Sequence, residues 1–65
     1  MIKVHRLNNV EFMINCELIE FVEETPDTVI TLTTGKKYVV KESMDEILKR
    51  VIEYKSNINS LKIKD

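Results

Sequence analysis

TPDTVITLTTGKKYVVKESMDEILKRVIEY, residues 25–54, decides the fold. Its first residues complete a turn, Glu24-Thr25-Pro26-Asp27. Proline fixes its own φ within that turn, and aspartate bonds locally to backbone. Thr28 to Thr33 follows as a strand, with Ile30 and Leu32 alternating against Val29, Thr31 and Thr33. Thr34-Gly35 reads as a two-residue tight turn with glycine supplying positive φ. Lys36 to Lys41 is the returning strand. Ser43 is an N-cap with Glu46 three residues on, a capping box. Asp45 and Glu46 suit the positive end of the helix dipole. Met44, Ile47, Leu48, Val51, Ile52 and Ile58 then recur at helical spacing, and the stretch Met44 to Ile52 is expected to pack on the core. Asp45 with Lys49 and Glu46 with Arg50 form i,i+4 pairs on the wet side. The stretch leaves no room for a catalytic loop.

Upstream, Ile2 to Leu7 is rich in β-branched and apolar residues and reads as a first strand. Asn8-Asn9 suits a two-residue hairpin turn, since asparagine tolerates positive φ. Val10 to Ile14 returns, and Asn15-Cys16-Glu17 turns the chain. Leu18 to Glu23 is a third strand. Both of its faces, Leu18, Glu20, Val22 and Ile19, Phe21, Glu23, carry apolar groups, so periodicity leaves the inward face open. Downstream, Asn57, Asn59 and Ser60 weaken the helix. The expected organisation is one β-rich domain over 1–58 with a C-terminal helix, and a flexible tail over 59–65. The class is α+β, mainly β. About five strands form a small, strongly bent antiparallel sheet or partly open barrel, with one C-terminal α-helix packed across it.

A chain of 65 residues buries only about 60% of its unfolded surface, and its core rarely supplies more than roughly 3–5 kcal/mol. One cysteine, Cys16, excludes an intrachain disulfide, and one histidine, His5, leaves no Cys/His set for zinc. Self-association, or docking on a larger assembly, is the remaining staple. Apolar groups on both faces of several strands point the same way. Residues 1–42 carry 5 basic and 7 acidic side chains (net −2), and residues 43–65 carry 5 and 4 (net +1). Neither part has the basic footprint of a nucleic-acid binder. Charges in MIKVHR interrupt any apolar signal core, and no run approaches the ~20 apolar residues that cross a bilayer. With a lone thiol, this reads as cytoplasmic, with room for a place beside a membrane complex.

The chemistry-bearing residues have structural readings close at hand. His5 lacks a nucleophile or second histidine nearby and reads as a strand histidine facing water. Cys16 lies between Asn15 and Glu17, where a carboxylate opposes thiolate formation, and reads as a small buried residue. Glu17, Glu20, Glu23 and Glu24 read as a solvated edge, with a charged docking strip and, behind it, a metal site as the alternatives. Gly35-Lys36-Lys37 lacks the full phosphate-loop pattern and joins two strands, so the lysines are exposed turn residues or contacts for an acidic partner. Tyr54 and Ile58 are placed for an exposed contact near the helix end. The interaction candidates are therefore Glu20, Glu23, Lys36, Lys37, Tyr54 and Ile58. No catalytic, cofactor or metal residue is assigned.

Over Met1 to about Tyr54 the chain resembles the small flagellar FlbD/SwrD proteins. The resemblance lies in Ile2-Lys3-Val4, Arg6-Leu7-Asn8, Glu11-Phe12, Asn15, ELIE at 17–20, and TPDTVITLTTGKKYVVKES at 25–43. Members of that family often carry Asn-Gly where this chain has Asn8-Asn9 and Thr34-Gly35. The resemblance implies a cytoplasmic, non-catalytic accessory role in flagellar motility, supporting swarming and motor power through contacts with stator or motor proteins, and it brings no catalytic residues. The rival layout is a small RNA-binding regulator similar to the carbon storage regulator, with short strands before a C-terminal helix. The net charge of −1 weighs against it, as does the short list of stacking side chains: His5, Phe12, Phe21, Tyr38 and Tyr54.

Overall fold

The structure is a computed structural model that describes the backbone of residues 1–64 and the side chains of residues 1–56. Five strands run in chain order: β1 (Ile2–His5), β2 (Glu11–Ile14), β3 (Ile19–Glu24), β4 (Thr28–Leu32) and β5 (Lys37–Val40). A 3-10 turn, Cys16–Leu18, separates β2 from β3, and helix α1 (Met44–Lys64) closes the chain. The β1–β2 hairpin is one antiparallel sheet, and β3-β4-β5 is the other. The two meet where Arg6 bridges Val40 and Lys41 N donates to His5 O at 2.9 Å. The sheets are bent against each other without closing into a barrel, as the mixed α+β reading expects.

Both hairpin turns differ from the two-residue turns expected at Asn8-Asn9 and Thr34-Gly35. In the first, Arg6 N donates to Val10 O (2.8 Å) and Asn9 N to Arg6 O (2.9 Å), enclosing Leu7, Asn8 and Asn9. In the second, Leu32 N donates to Lys36 O (2.8 Å) and Gly35 N to Leu32 O (2.9 Å), enclosing Thr33, Thr34 and Gly35. Each is a three-residue loop whose last residue has positive φ, Asn9 at 72° and Gly35 at 92°. That is the pattern of a tight turn followed by a bulge. A Cβ on Gly35 would meet nothing within 4 Å, so its requirement is purely conformational. Gly35→Ala is therefore expected to cost about 1–2 kcal/mol through the left-handed backbone alone, with Gly35→Asn losing less. Thermal melts of the two variants check this, and an unshifted alanine variant would contradict the assigned turn.

Strand β3 answers the question its periodicity left open. Ile19 pairs with Leu32, but Phe21 pairs with Thr31, so Glu20 sits in a bulge. The extra residue lets Ile19 and Val22, three apart, both turn toward α1 while Phe21 turns out. On β4, Thr28, Ile30 and Leu32 are buried on the inner face, and Thr31 is buried on the outer one. The core is Ile2, Val4, Ile14, Cys16, Ile30, Leu32, Val40 and Ile47. Arg6 stacks over Phe12 and Tyr38, its guanidinium 4.6 Å and 5.7 Å from the ring centroids, and the two rings lie 5.5 Å apart. Since Phe12 is on β2 and Tyr38 on β5, this stack helps hold the two sheets together.

Helix α1 begins where expected. Glu46 N donates to Ser43 Oγ at 3.2 Å, which is the forward half of the capping box. The Glu46 carboxylate turns away to Arg50, and Met44 N finds its acceptor in Glu24 Oε1 at 2.7 Å, across from β3. The expected Asp45–Lys49 pair does not form, whereas Glu46–Arg50 does, at 3.3 Å. The inward face is rotated from the expected stripe. Ile47 is buried with Val51 and Tyr54 packed beside it, whereas Met44, Leu48 and Ile52 are exposed. The helical backbone runs through residue 64, while the side chains of residues 57–65, Ile58 among them, lie outside the described residues.

Candidate functional site

The most connected polar group among the described residues is one that sequence reading passed over. Glu42 stands between β5 and the Ser43 cap, where a helix often carries an apolar residue that folds back on its first turn. Its side chain is only 7% exposed. One oxygen accepts from His5 N at 2.9 Å. The other lies 2.6 Å from His5 Nδ1 and accepts from Arg50 Nη1 at 3.0 Å. The same Arg50 nitrogen donates to Lys3 O at 2.5 Å, and Nη2 reaches Glu46. Burial works against the charge on Glu42. The hydrogen bonds from the His5 ring and backbone, from Glu42's own backbone N–H and from Arg50 outweigh it, and hold the carboxyl at about 2, well below its ordinary value of 4.5. His5 is therefore half-buried and engaged, not simply facing water. The network ties β1, the loop before α1 and α1 itself into one joint. A shallow cleft of about 430 Å³ opens beside it, lined in part by Met1, Lys3, His5, Arg50 and Tyr54. Tyr54, expected as an exposed contact, is half-buried against the core.

Among the described residues, two apolar surfaces are left open. The first is a groove of about 360 Å³ between α1 and β3, lined by Ile19, Val22, Met44, Leu48 and Val51, with Cys16 and Ile47 at its base and Lys55 as its one charged lining residue. The second is the outer face of β3-β4-β5. Directly opposed residues share a face, so Phe21, Thr31 and Lys37 form one row, and Glu23, Val29 and Val39 the next. Phe21 is 57% exposed there. Glu23 and Lys37 thus stand on the same face, about 12 Å apart on the diagonal across β4. Glu20 lies in the bulge at the edge of that sheet, and Lys36 closes the β4–β5 turn; both are exposed. The structure puts Glu23 and Lys37 on one face of the sheet and packs Tyr54 of α1 against the core instead.

Among the described residues, no group of three or more His, Cys, Asp or Glu side chains could hold a metal ion, and no helix is long and apolar enough to cross a membrane. A family described as flagellar and swarming motility proteins, FlbD, matches residues 1–59. The chain belongs to the FlbD family. No curated protein and no solved structure gives a match. The FlbD match spans every strand, both three-residue loops, the Glu42 network and α1 through residue 59.

Proposed function

We propose that this FlbD-family chain is a cytoplasmic accessory factor of bacterial flagellar motility. It supports swarming and motor power by contact with stator or motor proteins, beside the membrane complex, and performs no chemistry of its own. The family match over residues 1–59 carries this reading. The outer sheet face supports it with a surface suited to protein contact: Phe21 exposed on the edge strand β3 and Val39 on β5, with Glu23 and Lys37 of opposite charge on the same face. Aromatic side chains set among complementary charges are favoured contact residues. The tests use the deletion strain and one variant. Deletion is expected to reduce swarming and swimming speed while filaments still assemble. Complementation with Phe21→Ser is expected to leave speed near the deletion level. Phe21 is already half in solvent, so the purified variant should stay within about 0.5 kcal/mol of wild-type stability. A deletion strain without filaments would point to an assembly role and sink the reading.

A further inference from the structure

We propose that the exposed side of α1, with the groove between α1 and β3, is a two-fold contact with a second copy of this chain. Met44, Leu48 and Ile52 lie four residues apart on one line of the helix, and are 40%, 57% and 57% exposed. The line runs beside the groove walled by Ile19 and Val22. An unpartnered apolar row next to an apolar groove is costly in a chain whose buried core is so small.

The charges beside this line select the occupant. Asp45 and Lys49 sit together on the solvent flank of the row, and neither has an ion-pair partner among the described residues. An acid and a base one turn apart give that flank no net sign with which to select a strongly basic or acidic stranger. They do match their own reverse. With two helices antiparallel about a two-fold at Leu48, Leu48 meets Leu48 of the second copy and Met44 meets its Ile52. Asp45 then comes within reach of Lys49 of the second copy, and the same pair repeats on the other side of the axis. The alternative self-contact is edge-to-edge pairing of β3, which has β4 as its only partner strand. Glu20, Glu23 and Glu24 line that strand, so self-pairing would set carboxylates against carboxylates. A stable contact buries about 800 Å² per partner, more than one row of three side chains supplies. The second helix therefore also leans on the groove wall formed by Ile19 and Val22.

Sedimentation of the full chain over a concentration series tests this. The wild type is expected at twice the chain mass of 7.6 kDa, dissociating on dilution. Leu48→Asp places two carboxylates at the axis and is expected to weaken the dimer by at least about a hundred-fold, with circular dichroism unchanged. Asp45→Lys is expected to weaken it about three- to ten-fold, and adding Lys49→Asp to restore it. That charge exchange decides the matter even where Leu48→Asp fails to fold. A wild type that stays monomeric at every concentration overturns the proposal. So does a dimer indifferent to these substitutions, or a double exchange that fails to rescue.

Discussion

Ile47→Ala is expected to remove about 3 kcal/mol of stability, within the range found for truncating a buried isoleucine. Ile47 is 2% exposed and is the only residue of α1 in the buried core among the described residues. It plugs the base of the groove beside Cys16, where α1 crosses the sheet. A domain this small holds roughly 3–5 kcal/mol in all, so the variant is expected to be largely unfolded or to melt at the edge of room temperature. Leu48→Ala is the control. Leu48 is the next residue along the helix but is 57% exposed, so in the monomer it should cost no more than about 0.5 kcal/mol. Urea melts at low protein concentration compare the two. If Leu48→Ala proved the more damaging, the helix would present a different face to the sheet.

Glu42→Gln is the second large effect. The amide keeps the shape but loses the charge that draws in His5 and Arg50, leaving a partly buried guanidinium short of its acceptor. Breaking one partner of a buried ion pair costs about 3–5 kcal/mol, and the partial exposure of His5 and Arg50 lowers the expectation here to about 2–3 kcal/mol. The pH dependence has a definite sign. Glu42 is held at about 2 in the folded chain against an ordinary value of 4.5, so its contribution is complete above about 4.5. It is lost as pH falls from there toward 2, and that interval corresponds to roughly 3 kcal/mol. The wild type should therefore destabilise steeply below pH 4.5, and Glu42→Gln should show a shallower fall over the same range. Parallel pH profiles for the two proteins would remove Glu42 from the centre of this network.

The parts of the fold that the sequence disclosed were those in which local signals agree. The β4–β5 hairpin, the Ser43 cap and the onset of α1 each combine alternation, a turn residue or a cap with the right spacing. The turn lengths escaped because Asn9 and Gly35 suit positive φ equally well in a two-residue turn and at the end of a three-residue loop, and only the register of the flanking strands separates the two. The inner face of β3 escaped because a bulge at Glu20 breaks the period of two. On α1 the apolar row is wider than the face the sheet covers. Arg50 and Tyr54 take part of the inner side, which a purely apolar count assigns to Leu48 and Ile52. Among the interaction candidates, Glu23 and Lys37 share a face because opposed and alternate residues of paired strands point the same way. Glu42 gave no such sign, since its partners lie 37 positions upstream and 8 downstream.

The proposed role is contact with motor proteins, made through the outer sheet face of this FlbD-family chain. The most direct test is motor torque in tethered cells lacking the gene and complemented with wild type or Phe21→Ser at equal protein levels. The prediction is full torque with wild type and near-deletion torque with Phe21→Ser, on cells that bear filaments throughout. Full torque from the Phe21→Ser strain, or from the deletion itself, would contradict it.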